Sequence, residues 1–98
     1  MTAFLPGLGA LRALGRLDIS CNRLTPEDAA ILAQVLSRAS SLTHLDVHGN
    51  KLAAVGVTYI FAGVCRLPNL RFLDMSENKC DLPHLAGLCP WAEVRAYR

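Results

Sequence analysis

An internal repeat of 28 residues is the feature that most constrains this chain. Three segments superimpose at that spacing: LGRLDISCNRL at residues 14–24, LTHLDVHGNKL at residues 42–52, and LRFLDMSENKC at residues 70–80. One such segment can arise by chance in a leucine-rich chain, but three in register indicate a structural unit that recurs. Because one unit cannot bury its apolar face alone, the sequence predicts units that stack on one another.

Each segment predicts a short strand that ends in a turn. Apolar residues alternate with polar ones, as expected of a strand with one buried face. The alternating pairs are Leu17 and Ile19, Leu45 and Val47, and Leu73 and Met75. Asn22, Asn50 and Asn78 follow at one register, where a short amide side chain can satisfy the backbone groups of a turning chain. We therefore predict a structural ladder of asparagines.

Helices are predicted between the strands. The first spans about residues 25–38 and opens with TPED, which supplies a threonine N-cap, a proline at the first helical position and acids in the first turn. Leu32, Val35 and Leu36 recur at helical spacing and should face the strands. By the 28-residue register, a second helix occupies about residues 53–66.

The three segments resemble the leucine-rich repeat pattern L-x-x-L-x-L-x-x-N-x-L, with Cys80 replacing the last leucine of the third. Repeats of this length with a full helix resemble the ribonuclease-inhibitor and Ran GTPase-activating-protein subclass. The resemblance implies an α/β leucine-rich repeat solenoid, with a short parallel sheet on its concave face and helices on its convex face.

The resemblance divides residues 1–98 into the units of a single leucine-rich repeat domain or fragment. The units are a partial repeat at 1–13, repeats at 14–41 and 42–69, a shortened repeat at 70–90, and a fourth strand at 91–98. Trp91, Val94 and Ala96 reproduce the L-x-x-L-x-L spacing 21 residues after the third strand. The alternative is a further helix over residues 82–97, which Pro90 would kink or end.

Both ends of the predicted stack lack the polar outer face that terminal repeats usually carry. Residues 4–14 have the apolar pattern of the last turns of an earlier helix, and a bare edge of the first strand would invite further pairing. We expect the partner to be a protein: other subunits of a larger complex or further repeats of a longer chain.

Composition narrows the class of partner and the compartment. The net charge is only +2, without a block of one sign, so we predict no nucleic-acid partner. The long uncharged run at residues 53–65 is shorter than the roughly 20 residues that span a bilayer, so we predict no membrane insertion. Four cysteines without C-x-x-C spacing, and no N-x-S/T sequon, indicate an intracellular, cytoplasmic location.

The resemblance implies that side chains between the leucines face partners on the concave wall. Positions that differ between repeats are free of scaffold constraint, and several carry the basic and aromatic groups that interface hot spots favour. With the aspartate column, the predicted protein-binding residues are Arg16, Asp18, His44, Asp46, His48, Arg71, Phe72 and Asp74. A separate cation or basic-peptide site in that column is the weaker interpretation, since the family pattern L-D-x-S-x-N makes aspartate ordinary there.

A second contact is predicted on the convex face, because the helix at residues 53–65 carries no charge. Such a helix is usually buried on more than one side. Val55, Val57 and Phe61 are therefore predicted to contact a neighbouring subunit or domain. The alternative is that neighbouring helices of the same solenoid cover them.

Catalytic and metal chemistry find little support. Asp46 and His48 would lie about 7 Å apart on an extended strand, too far for the hydrogen bond of a triad with Ser20. His44 and His48 would lie about 13 Å apart, too far to share a zinc ion. No phosphate-binding glycine motif occurs. We predict a non-catalytic scaffold without metal or cofactor; the alternative, regulation of a small GTPase, rests on analogy of fold.

Overall fold

A computed structural model describes residues 12–98 of the chain and shows strands and helices in alternation. The strands are Arg16–Asp18 (β1), His44–Asp46 (β2), Phe72–Asp74 (β3) and Glu93–Arg95 (β4). The helices are Pro26–Leu36 (α1), Ala53–Val64 (α2) and His84–Leu88 (α3). This architecture fits the predicted α/β class. The apolar segment predicted to end an earlier helix, residues 4–14, falls largely outside the described residues.

The four strands form one parallel sheet in the order β1-β2-β3-β4. Leu17 pairs with Leu45, Leu45 with Leu73, and Leu73 with Val94. Because the first three segments repeat every 28 residues, equivalent positions become lateral neighbours across the sheet. Side chains on either side of each central residue therefore form rows that cross the strands.

One apolar core lies between the sheet and the helices. Leu45 and Leu73 of the sheet are fully buried. On the helices, Leu32 and Leu36 are buried, as are Ile60 and Val64 at the equivalent places of α2. The predicted inward positions of α1 are therefore confirmed for Leu32 and Leu36, while Val35 is partly buried against the core.

The start of α1 has the predicted capping box. Thr25 Oγ1 accepts the Asp28 backbone N–H at 3.3 Å, and the Asp28 carboxylate accepts the Thr25 N–H at 2.9 Å. Pro26 takes the first helical position, where no backbone donor is needed. These contacts satisfy donors that a helix start otherwise leaves without partners.

The asparagine ladder is present and links successive units. Asn50 Oδ1 accepts the backbone N–H groups of Asn22 and Leu24, at 2.7 and 3.0 Å. Asn78 makes one of these two contacts one unit later: its Oδ1 accepts the Leu52 N–H, and its backbone carbonyl accepts the Ala53 N–H. Since α2 has no side-chain N-cap, the ladder satisfies the backbone where that helix begins.

The last unit is shorter than the others and contains β4. Helix α3 has five residues, and Glu93–Arg95 then pairs with β3, so the alternative of one helix over residues 82–97 is wrong. Val94 and Ala96 pack on or within the core. Trp91 does not share the buried place of Leu70: its side chain is 50% exposed, and Cys89, two residues earlier, is buried instead.

Candidate binding surface on the strand side

Two rows of side chains cross the face of the sheet opposite the helices, here called the strand face. The aromatic row comprises Arg16, His44, Phe72 and Glu93. The aspartate row comprises Asp18, Asp46, Asp74 and Arg95. Both rows flank the buried central residues of the strands, so the alternation of a strand turns them away from the core.

The aromatic row contains a stack of π systems and a cation. The rings of His44 and Phe72 lie with centroids 5.8 Å apart and tilted by 33°. Arg95 joins the row from β4, with Cζ 5.2 Å from the Phe72 centroid and Nε donating to Glu93 at 2.7 Å. The ion pair with Glu93 and the contact with Phe72 together orient the Arg95 guanidinium.

The His44 ring is oriented by its neighbour. Nδ1 lies 2.8 Å from Thr43 Oγ1, and the Thr43 hydroxyl donates to the Gly15 carbonyl at 3.0 Å. Because a hydroxyl has one hydrogen to donate, His44 Nδ1 carries the hydrogen of its own bond. The ring is therefore positioned on the face by the first strand as well as by its own.

The three aspartates of the aspartate row are held in one orientation. Oδ1 of each accepts two hydrogen bonds from the residue two positions later, whose backbone N–H and side chain both donate. The donors are Ser20, His48 and Ser76. Among residues 12–98 no hydrogen bond reaches any of the three Oδ2 atoms. Hydrogen bonds from Ser20 lower the pKa of Asp18, so this carboxyl is ionised at neutral pH.

The predicted separation of Asp46 and His48 is wrong. His48 Nδ1 lies 2.6 Å from Asp46 Oδ1, because β2 ends at Asp46 and the turning chain brings the imidazole back over it. The bond to Asp46 raises the pKa of His48, against the opposing effect of burial, and the charges of Asp46, Asp74 and Glu77 raise it further. An imidazolium here partly neutralises the acidic end of the face.

Stability linked to His48 is expected to decline as pH rises. Its folded-state pKa lies above the ordinary value of 6.5, so its contribution to the free energy of unfolding is complete below that pH and is lost as pH rises through the folded pKa. Urea unfolding across pH should show this slope in the wild type and in the control His84→Gln, but not in His48→Gln. Equal slopes in all three proteins would contradict it.

Asp46, His48 and Asp74 form a cluster whose side-chain oxygen and nitrogen atoms could ligate a divalent cation. Donor atoms of Asp46, His48 and Asp74 lie within 4.8 Å of one another. His44, the other histidine considered above for zinc, is bonded to Thr43 instead. A metal bound through His48 Nδ1 would have to displace the imidazole proton at the contact with Asp46. The Ser20 hydroxyl donates to Asp18, so the described contacts include no bond between Ser20 and His48 that would activate a nucleophile.

Five of the predicted binding residues border one open depression of about 320 Å³. The lining residues are Arg16, Leu17, Asp18, His44, Asp46 and Phe72. Asp74 lies farther along the aspartate row and is 8% exposed. Arg71 is not part of this surface, because its guanidinium turns back to donate to the Leu70 carbonyl at 2.9 Å.

Glu93 and Arg95 belong to the strand face but are not among the residues predicted from the sequence. The signal was available: aligning Val94 with Leu73, as the L-x-x-L-x-L spacing does, places Glu93 beside Phe72 and Arg95 beside Asp74. The residues predicted from the sequence come only from the three full 28-residue segments. Glu93 adds an acid beside Phe72 in the aromatic row, and Arg95 adds a cation beside the three acids of the aspartate row. These two residues therefore change the chemistry of both rows.

The predicted contact on the helix side is wrong for two of its three residues. Val57 is fully buried and Phe61 is 7% exposed, because both lie on the core side of α2. Val55 is 58% exposed and remains available. Ile31 and Tyr59, which occupy equivalent positions of α1 and α2, are about half exposed and were missed. No helix among residues 12–98 has the length and apolarity to cross a membrane.

Residues 38–61 match a family model described as Leucine Rich repeat. This match supports a leucine-rich repeat protein. The matched leucine-rich repeat includes β2, Asn50 of the ladder and most of α2, and it carries His44, Asp46 and His48 of the strand face. Leucine-rich repeat domains generally mediate protein–protein interaction.

Proposed function

We propose that this chain is a non-catalytic protein-interaction module, a scaffold subunit of a larger assembly, and that it binds its protein partner through the strand face. In this proposal the leucine-rich repeats form a solenoid with the strand face on its concave side. The observation that carries it is the aromatic row: His44 and Phe72 stack on adjacent strands, with Arg95 over Phe72.

The chemistry of the strand face supports this choice of side. Aromatic residues and arginine are the side chains most enriched at interface hot spots. The His44 ring is held by Thr43, and Arg95 is held by Glu93. Rings and guanidiniums already held in place lose less conformational entropy on binding, so their contacts contribute more to affinity.

The setting that we propose is intracellular. Cys21, Cys65, Cys80 and Cys89 are free thiols in the described structure. Burial raises the pKa of the Cys80 and Cys89 thiols, so these two behave as small apolar core residues. A core of reduced cysteines suits a reducing compartment.

The test compares substitutions on the two sides of the sheet. Immobilised wild-type chain, His44→Ala/Phe72→Ala and Val55→Ala/Tyr59→Ala are each exposed to cell extract, and retained proteins are quantified by mass spectrometry. Val55 and Tyr59 are a matched pair, being one exposed aliphatic and one exposed aromatic residue of α2. Losing two hot-spot residues should reduce capture of specific partners by at least about thirtyfold.

The helix-side variant should retain the partners captured by the wild type. Circular dichroism and thermal unfolding establish that each variant is folded. Partners that survive the strand-face substitutions but are lost with Val55→Ala/Tyr59→Ala would contradict the proposed surface. A wild-type chain that retains no protein above a blank matrix would contradict the proposed function.

A further inference from the structure

The depression on the strand face joins an apolar wall to a pair of carboxylates. His44 and Phe72 contribute aromatic surface, and Leu17 contributes aliphatic surface. Asp18 and Asp46 border the other side. A ligand group that suits both sides needs a flat or aliphatic part for the wall and a cationic end for the acids.

The two carboxylates are arranged to receive one group together. Asp18 and Asp46 are direct partners across the β1–β2 pair, and neighbouring strands lie about 4.8 Å apart. In both residues Oδ1 is bonded within its own turn, while no hydrogen bond from residues 12–98 reaches Oδ2. Two free oxygens at this spacing match the several donors of a planar guanidinium better than the single centre of an ammonium.

Charge on the strand face also favours a cation. Arg95 is already paired with Glu93. His48 lies against Asp46 and offsets part of its charge when protonated, while Asp74 and Glu77 beyond the depression add negative charge that acts on His48 in turn. Arg16 also lines the depression, but it belongs to the aromatic row, in register with His44, and among residues 12–98 the hydrogen bonds of Asp18 and Asp46 come from Ser20 and His48 instead.

Taking the proposed protein-binding role as its basis, we infer that an arginine side chain of the partner protein occupies this depression. Its guanidinium bridges Asp18 and Asp46, and its stem and plane lie against His44 and Phe72. Arginine combines these two properties, since its guanidinium donates to carboxylates and stacks on aromatic rings. We therefore expect the partner to carry an exposed arginine at the centre of the segment that contacts the strand face.

A fragment of that side chain tests the inference without knowledge of the partner. The ¹⁵N-labelled chain is titrated with N-acetyl-arginine amide and, separately, with N-acetyl-citrulline amide, which has nearly the same shape and no charge. We expect the arginine derivative to shift saturably the amide signals of residues 16–18 and 44–46 and of Phe72. Citrulline should produce no saturable shift at these positions, and added salt should weaken the arginine effect.

Matched substitutions locate the binding to the two carboxylates. Asp18→Asn/Asp46→Asn keeps an acceptor oxygen for the turns and removes both charges, and it should raise the Kd for the arginine derivative roughly tenfold. Asp81→Asn, an exposed acid outside both rows, should leave the Kd unchanged. The spectra themselves report whether each variant is folded.

The outcomes separate this inference from the function on which it rests. Equal binding of citrulline, shifts centred elsewhere, or an unchanged Kd in the double variant would each overturn the arginine assignment. If that happens while His44→Ala/Phe72→Ala still loses its partners from extract, the strand face binds protein by other chemistry. If capture is also unaffected by that variant, the proposed function fails as well.

Discussion

Asn78→Ala is expected to lower the free energy of unfolding by about 3–4 kcal/mol. The Asn78 side chain is fully buried. Its Nδ2 donates to the carbonyls of Val47, Met75 and Ser76, and its Oδ1 accepts the Leu52 N–H. Alanine would leave the Met75 carbonyl and the Leu52 N–H without partners on two adjacent units, whereas the carbonyls of Val47 and Ser76 keep their bonds from Asn50 and Gly49. Urea unfolding monitored by circular dichroism measures the change.

Asn22→Ala is the matched control, because it removes the same side chain from the same place in an earlier unit. Asn22 is exposed, and its amide donates to the Ser20 carbonyl alone among residues 12–98. Water can replace that hydrogen bond, so the free energy of unfolding should fall by no more than about 0.5 kcal/mol. Similar losses in the two variants would show that the asparagines act through their own turns, and not as a ladder between units.

The contrast between these asparagines shows what the repeat period can predict. Equal spacing placed Asn22, Asn50 and Asn78 in one column and Leu17, Leu45 and Leu73 in another, and the register of the sheet follows directly. The period describes what units share. It does not tell which members of a column are buried, because burial depends on the neighbours of each unit.

Local chain direction accounts for the error at Asp46 and His48. A rise of about 7 Å over two residues holds for an extended strand, but each of these strands has only three residues. Beyond Asp46 the chain turns, so the side chain of His48 reaches the carboxylate. Spacing arguments therefore placed Asp46 and His48 on the same surface but could not predict the hydrogen bond between them.

The repeat pattern also could not predict which side chains of α2 the core covers. Its lack of charge predicted an external contact through Val55, Val57 and Phe61, yet the core covers Val57 and Phe61. The missing information was the distance between helices. Small residues let α2 approach α1 closely: a Cβ placed on Gly56 would lie 3.3 Å from Pro26 Cα and 3.4 Å from Ala29 Cβ. That close packing buries apolar surface of α2 within the chain itself.

Gly63→Ala tests this close approach and is expected to lower the free energy of unfolding by about 2 kcal/mol. In most helices the change is stabilising, because alanine has the higher helix propensity. Here the added Cβ would lie 2.7 Å from the Ala33 carbonyl oxygen and 2.9 Å from Ala33 Cβ. Both atoms belong to Ala33 of α1, so α1 and α2 must move apart and the core beneath them is loosened.

The same substitution in α3 should have the opposite sign. Apart from its chain neighbours and its own helix backbone, a Cβ on Gly87 would meet no atom of residues 12–98 within 4 Å. Gly87→Ala should therefore raise the free energy of unfolding by about 0.5–1 kcal/mol through helix propensity. Thermal and urea unfolding of both variants give the comparison. If Gly63→Ala were also stabilising, α1 and α2 would not be in close contact. The apolar surface of α2 would then need cover from outside the chain, as its charge-free sequence first suggested.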